Sequence, residues 1–183
     1  MAKLLYSAAM SLDGFIAGPD GDMSWLVPYL GPDPALDGLV ERIGALLVGR
    51  RTFSGDDPNR GTDKEGAFSG TWSGPQVVLT HHVPRQTHDS PGVTYSSNVT
   101  EAISLAQEAA GEIEYVNVLG AETARHCLET GALDEVLVSV VPVMLGDGTP
   151  LFHHPGGRLV RLERVRVTEG PIATSIWLRV VPG

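Results

Sequence analysis

A single cysteine, Cys127, occurs among 183 residues, so no intramolecular disulfide can form and the fold has to be held by packing. That economy fits a reducing compartment, and a cytoplasmic protein is expected. Positive charge is scarce as well: 13 Lys and Arg against 22 Asp and Glu give a formal net charge of -9. A chain of that sign has no general basic face with which to displace counterions from nucleic acid or meet anionic lipid, so neither partner is expected. No stretch approaches the roughly 18 apolar residues needed to span a bilayer, and the opening residues 1–5 do not have the basic start and long apolar run of a signal peptide.

Several chemical signatures are missing too. Neither G-x-G-x-x-G, G-x-x-x-x-G-K-[ST] nor G-x-S-x-G occurs, which removes the standard dinucleotide, P-loop and hydrolase fingerprints. Without H-x-E followed by P-C-x-x-C, a zinc nucleobase deaminase is excluded. Four of the six histidines form the adjacent pairs His81-His82 and His153-His154; neighbours on a strand point to opposite faces, so neither pair suits one ion and no metal site is expected. Asp57, Asn59, Gly61 and Asp63 have the spacing of a calcium loop, but Glu65 falls short of the bidentate twelfth position. A solvated acidic loop is the better account.

What is present reads as one domain over 1–183, because 42% hydrophobic residues at this length supply a single sizeable core. Short continuous apolar runs at 4–5, 46–48, 77–79, 116–119 and 136–141 are the pattern of strands covered on both faces. Helical spacing over 35–43, 102–110 and 122–130 lies between them. Ser97, Asn98 and Thr100 are candidate caps for the second helix, and Gly131 suits the left-handed position after the third. Strand and helix therefore alternate, which predicts an α/β fold with a mainly parallel central sheet flanked by helices. Segments 163–168 and 174–181, separated by Gly170-Pro171, predict an antiparallel hairpin that closes it. Residues 54–74 show no period and read as a long surface excursion.

Four places could carry chemistry. Gly49-Arg50-Arg51-Thr52 follows the run 45–48 directly, putting two guanidinium groups and a hydroxyl at the carboxyl end of a buried strand. Open α/β sheets bind ligands there and arginine suits phosphate, although both arginines also read as plain surface charges. Thr80-His81-His82 leaves the strand 77–79 in the same way, or is an ordinary polar exit turn. Leu119-Gly120-Ala121-Glu122-Thr123 joins a strand to a helix with small residues that admit a phosphate or flat ring to the backbone N–H groups and the positive end of the dipole; a glycine at such a junction also serves packing. Residues 142–152 break into Gly146-Asp147-Gly148 and return to Phe152, either as part of a site or as a turn over a buried aromatic.

The order of these segments is more specific than any one of them. S-L-D-G-F-I-A (Ser11 to Ala17), G-R-R-T-F (Gly49 to Phe53), V-V-L-T-H-H (77–82) and L-D-E…P-V-M-L-G-D-G…L-F (Leu133 to Phe152) resemble the dihydrofolate reductase-like superfamily over essentially the whole chain. The resemblance is closest to stand-alone relatives of the C-terminal reductase domain of bifunctional riboflavin-biosynthesis deaminase-reductases. It implies an NADPH-dependent reductase, a homodimer, acting on a small polar heterocyclic or sugar-linked molecule. The pyrimidine reductase step of riboflavin biosynthesis, on 5-amino-6-(5-phosphoribosylamino)uracil, is the nearest counterpart. It also implies roles. Ala9 and Ile16 flank the nicotinamide, and the loop from Asp13 to Trp25 folds over it as a lid that excludes water. Gly49, Arg50, Arg51 and Thr52 hold phosphates, Thr80 and His81 lie near the adenosine 2′-phosphate, and Leu119, Gly120, Ala121, Glu122 and Thr123 meet the pyrophosphate. Asp13 is the catalytic candidate, a polar group at the mouth of the site; capping the turn at Gly14 is its other reading.

Three departures from the family pattern bear on this. Gly120-Ala121 or Leu119-Gly120, depending on the alignment, stands where Gly-Gly is frequent. His81-His82 replaces a serine and a fixed cation with groups only partly charged at pH 7. Dihydrofolate reductases proper carry an acidic residue shortly after the Trp of the lid, whereas residues 26–31 here hold no carboxylate and the next is Asp33. Two further readings accompany the main one: a true dihydrofolate reductase, and a nucleotide-binding protein that keeps the fold without turnover.

Overall fold

The continuous apolar runs become central strands with both faces covered. The computed structural model describes residues 1–55, 57–84, 92–157 and 159–183. In chain order its elements are β1 (Lys3–Ser11), β2 (Phe15–Ala17), β3 (Ile43–Gly49), α1 (Arg50–Phe53), β4 (Gln76–Leu79), β5 (Val93–Ser96), α2 (Val99–Ala110), β6 (Tyr115–Leu119), α3 (Ala121–Glu129), β7 (Leu133–Val141), β8 (Thr149–Pro150), β9 (Leu162–Glu169) and β10 (Thr174–Val180). Short 3-10 turns lie at Pro19–Gly21, Ser24–Tyr29 and Val40–Arg42. Eight strands form one sheet in the order β5-β4-β3-β6-β1-β7-β10-β9. From β5 to β7 every pairing is parallel, and β10 and β9 join antiparallel as the expected C-terminal hairpin.

Alternation along each strand sorts its side chains to two faces. One presents Leu4, Tyr6, Leu47, Val118 and Val136 to α2 and α3, which contribute Ala102, Ala106 and Ala110, then Ala124 and Cys127. Asn98 caps α2 by accepting the Glu101 N–H at 3.0 Å, and Gly131 follows α3 at φ 75°, both as the spacing predicts. Burial pushes the Cys127 thiol up to about 12, so it serves as a small core residue. The other face, with Leu5, Leu46, Tyr115, Leu137 and Trp177, is covered by irregular chain: Ala35, Leu39, Ala67, Phe68 and Trp72.

That second cover corrects two expectations. Residues 35–43 are not a helix but successive three-residue turns, with Leu36 N bonded to Asp33 O, Leu39 N to Leu36 O and Arg42 N to Leu39 O. Gly38 at φ 67° breaks the right-handed path an α-helix needs, yet Ala35 and Leu39 still reach the core. The excursion 54–74 is not merely surface chain. Trp72 Nε1 donates to Ile43 O at 2.9 Å and ties it to the sheet. Three strands go unannounced in the sequence: β5 has no apolar run, and β2 and β8 are only three and two residues long.

At the amino edge of the sheet Glu135, only 4% exposed, accepts hydrogen bonds from Lys3 Nζ (3.1 Å), Tyr115 Oη (3.0 Å) and Trp177 Nε1 (2.7 Å). A carboxylate taken out of water is tolerable there because three donors, one of them charged, replace the lost hydration.

Candidate active site

Parallel strands place all their carboxyl ends at one edge. β3 sits between β4 and β6, and the chain leaves β3 for β4 and β5 on one side before returning to β6 on the other. The winding direction reverses there, and outside the carboxyl ends of the strands at such a reversal is where open sheets form a ligand crevice. β1 extends the opening: its pairing with β6 ends at Tyr6↔Val118, whereas its pairing with β7 continues to Ser11↔Val141. From Ser7 onward the β6 side of β1 is therefore without a paired strand. Burial changes at the same point. Leu5 (0%) and Leu137 (2%) are sealed, while Ser7, Ala9 and Ser139, on the same face, are half-buried.

Two glycines shape the crevice. A Cβ on Gly49 would lie 2.6 Å from Thr123 Oγ1, and one on Gly120 would lie 2.5 Å from Thr52 Oγ1. The end of β3 and the start of α3 thus approach as closely as absent side chains allow, with a hydroxyl filling each gap. Gly120 also has φ 97°, a conformation that side-chain-bearing residues rarely adopt. Four residues singled out separately in the sequence, Gly49, Thr52, Gly120 and Thr123, are brought together here.

The first turn of α3 has no side-chain cap, so its backbone N–H groups remain available to an anion. Ala121 opens this helix; Glu122, next to it, is turned to Arg125 by a short charged hydrogen bond, which holds its carboxyl below the usual range. Any contribution of Glu122 to an anion is through its backbone. Arg50 and Arg51 begin α1 and are exposed, and neither is in an ion pair among the described residues. Thr80 is buried and its Oγ1 accepts the His82 N–H at 3.2 Å, a side-chain-closed turn that leaves His81 and His82 exposed.

On the other side of the opening the candidate lid is braced against the loop after β7. β2, which carries Ile16, pairs with β8 through Phe15↔Pro150 and Ala17↔Thr149, and Leu12 N donates to Val143 O at 2.7 Å. Gly148 fits only without a side chain, since a Cβ would fall 2.0 Å from Ala17 O. Asp13 joins the two loops: its carboxylate accepts Ser11 Oγ–H at 2.6 Å and the backbone N–H groups of Leu145 and Gly146 at 3.0 and 2.7 Å. The Ser11 bond, followed by those backbone bonds, holds its carboxyl below the usual carboxylate value despite some desolvation. Asp13, the catalytic candidate, thus bridges the candidate lid and the loop after β7.

The sequence reading missed a polar group on the open face. Asp33 Oδ2 accepts Ser139 Oγ–H at 2.6 Å, and Ser175 Oγ lies 3.1 and 3.2 Å from its two carboxylate oxygens. Register explains the meeting, because Ala9 pairs with Ser139 and Ser139 with Ser175, so all three project to one face. Asp33, in sequence too far beyond Trp25, is thus delivered beside Ala9. A polar residue inside a buried run was the readable signal, both for Ser139 and for Asn117, whose Oδ1 accepts Ser7 Oγ–H at 2.9 Å. Two buried donors among the described residues have no protein partner, Asn117 Nδ2 and, in the lid, Trp25 Nε1. No group of three or more His, Cys, Asp or Glu among the described residues is placed to hold a metal ion.

Comparison with known proteins follows the same lines. The family model of the RibD C-terminal domain matches residues 2–171. YwjB of Bacillus subtilis (strain 168), an uncharacterized protein, is 30% identical over 157 residues, covering 82% of this chain and 83% of its own. The diaminohydroxyphosphoribosylaminopyrimidine deaminase/5-amino-6-(5-phosphoribosylamino)uracil reductase of Thermotoga maritima is similar with a TM-score of 0.62 at 17% identity, over 98% of this chain and 57% of that one. Dihydrofolate reductase of Enterococcus faecalis, complexed with NADP(H), gives 0.61 at 20% identity, over 97% and 95%. Likeness at such identities establishes a shared fold.

Proposed function

The chain belongs to the RibD C-terminal domain family, and from that premise we propose that it is an NADPH-dependent reductase of a small polar heterocyclic or sugar-linked substrate. The closest activity is that of the 5-amino-6-(5-phosphoribosylamino)uracil reductases. The observation that carries this reading is the interlock of Gly49 with Thr123 and Gly120 with Thr52 beside an uncapped helix start and two exposed arginines that make no ion pair among the described residues. Such a cradle is small, positively biased and rich in N–H donors, which is what a pyrophosphate needs.

NADPH would supply the hydride, which no amino-acid side chain can carry. Binding and orientation fall to the chain. Arg50, Arg51 and Thr52 take phosphate oxygens, the N–H groups of Ala121 to Thr123 take the pyrophosphate, and Thr80 and His81 face the adenosine end. Ala9 and Ile16 flank the nicotinamide, and Leu119, at the end of β6, leads into the pyrophosphate turn at Gly120. Asp13 holds lid and loop together so that water is kept from the reacting carbon. The whole of 1–183 works as one such domain, in a cytoplasmic homodimer, with the small-molecule substrate as its ligand.

Asp33 favours a second reading. A carboxylate on the sheet face beside Ala9 is the group whose absence after Trp25 argued against a true dihydrofolate reductase. Loss of NADPH absorbance with the phosphoribosylaminouracil substrate, without tight methotrexate binding, is the outcome expected of the main reading. Methotrexate binding with dihydrofolate turnover would replace it by the second. NADPH binding with no oxidation by either substrate would mark a protein that retained the fold and not the reaction.

A further inference from the structure

Resting for its consequence on that reading of the crevice, we propose that His154 is a proton-operated clasp: when charged it fastens the segment that braces the lid onto Glu129 of α3, and so slows the release of NADPH. α3 is the helix whose start is assigned to the pyrophosphate. His154 belongs to the other arm. Just before it Pro150 pairs with Phe15 of β2, Leu151 N donates to Gly14 O at 2.9 Å, and Gly157 N closes a turn onto His154 O at 2.9 Å. A cleft lined by Leu128, Glu129, His154, Gly156 and Val160 separates the two arms, and His154 Nε2 stands 3.7 Å from Glu129 Oε1 across it. At that distance a neutral ring makes no hydrogen bond, and only a charged one holds the carboxylate.

Which ring takes the charge follows from the neighbours. Arg125 makes short charged hydrogen bonds to both Glu122 and Glu129, so one positive charge is divided between two carboxylates. Arg51 acts on Glu122 from α1. His126 lies between the same carboxylates, with Nε2 3.5 Å from Glu122 Oε1 and Nδ1 3.4 Å from Glu129 Oε2. Its Nε2 is also 3.4 Å from Arg125 Nη2, and a guanidinium so close opposes a second positive charge on that ring. His154 faces Glu129 without such a neighbour among the described residues. Of the other charged or titratable groups in its segment, His153 is exposed and Arg158 lies outside the described residues.

The carboxylate is ready for it. Desolvation raises the Glu129 carboxyl, but the Arg125 bond and the charges on Arg125, His126 and His154 outweigh it and hold the group below its usual range. Glu129 therefore stays ionised in the mildly acid range where a histidine gains its proton. The contact strengthens as pH falls from about 8 to about 5.5, and it draws the lid arm toward the cofactor helix.

Hydrogen exchange of the full chain without cofactor tests the clasp, read as the protection factor of the Leu151 N–H so that the intrinsic pH dependence of exchange is removed. Protection should be about fivefold higher at about pH 5.5 than at about pH 8, the scale of a partly exposed ion pair. His154→Gln and Glu129→Gln should each abolish the difference, His126→Gln should leave it, and His154→Lys, charged at both values, should keep the higher protection throughout. Both conditions lie above the range in which Asp13 takes up a proton, so loosening of the lid through Asp13 does not enter. Displacement of bound NADPH, followed by stopped flow, should slow by a similar factor at the lower pH in the parent and not in His154→Gln. Thermal melts check that the variants fold, and the two His154 variants carry the test if Glu129→Gln does not. Protection that does not change with pH, a change that survives His154→Gln or is removed by His126→Gln, or NADPH release at one rate under both conditions overturns the clasp. Failure of NADPH to bind would contradict the function proposed above, while the protection measurement, made without cofactor, still decides the clasp.

Discussion

Thr52 Oγ1 stands 2.5 Å from the position a Cβ would take on Gly120, so the residue between β6 and α3 and the one inside α1 are fitted to each other by the absence of an atom. Gly120→Ala would meet that hydroxyl and would also hold a side-chain-bearing residue at φ 97°. A loss of about 1–3 kcal/mol in stability is expected. Adding Thr52→Ala should restore part of it, because the clash is shared by the pair while the backbone strain is not. Denaturant midpoints of the two single variants and the double variant measure this; strictly additive effects would show that the residues are not coupled.

Arg50 and Arg51 should be expendable for folding and needed for the cofactor. Alanine at either position is expected to weaken NADPH by about 1–3 kcal/mol, the range of charge-assisted hydrogen bonds, with a melting temperature close to that of the parent. The loss should shrink as salt rises, since exposed charges are screened. Unchanged affinity in both variants would place the phosphates elsewhere.

Acid should loosen the lid. Hydrogen bonds, that from Ser11 foremost, lower the Asp13 carboxyl below its unfolded value. Its contribution is therefore present above the unfolded value and disappears as pH falls through the lower folded one. Hydrogen exchange of the backbone N–H groups of Leu145 and Gly146 should accelerate in that acid window. Asp13→Ala should show the same acceleration at neutral pH, with faster NADPH release and overall stability nearly intact. Protection that is insensitive to both changes would mean that β2–β8 pairing alone holds the loops.

Glu135 tests the opposite edge of the sheet. Glu135→Gln turns one accepting oxygen into a donor facing Lys3, Tyr115 and Trp177, and should cost about 2–4 kcal/mol by leaving buried donors unpaired. NADPH affinity of the folded variant should not move, because the crevice lies at the other end of the strands. A coupled loss of affinity would contradict this separation.

Much of this was legible from residues alone, and the exceptions have physical causes. Runs such as 46–48 and 77–79 are apolar without alternation because both sheet faces are covered, and the phosphate-cradle candidates were legible as the residues that follow such runs. Segment 35–43 misleads because Ala35, Leu39 and Ile43 repeat every four residues, a spacing that three-residue turns also deliver to a core; Pro34 and the left-handed Gly38 were the contrary signals. β5 escaped because Val93-Thr94-Tyr95-Ser96 pairs with β4 alone, at the sheet edge. The Asp33 cluster could not be seen in advance. Its members come from three separate parts of the chain and meet only through the register of β1, β7 and β10, which no local pattern encodes.

The central claim is that the crevice between β3 and β6 is a site for NADPH, and a calorimetric titration of the purified chain with NADPH and NADH in parallel tests it most directly. Saturable binding of NADPH, tighter than that of NADH and weakened in the Arg50 and Arg51 variants, is the predicted result. Absence of binding by either cofactor would leave the fold intact and contradict the function proposed for it.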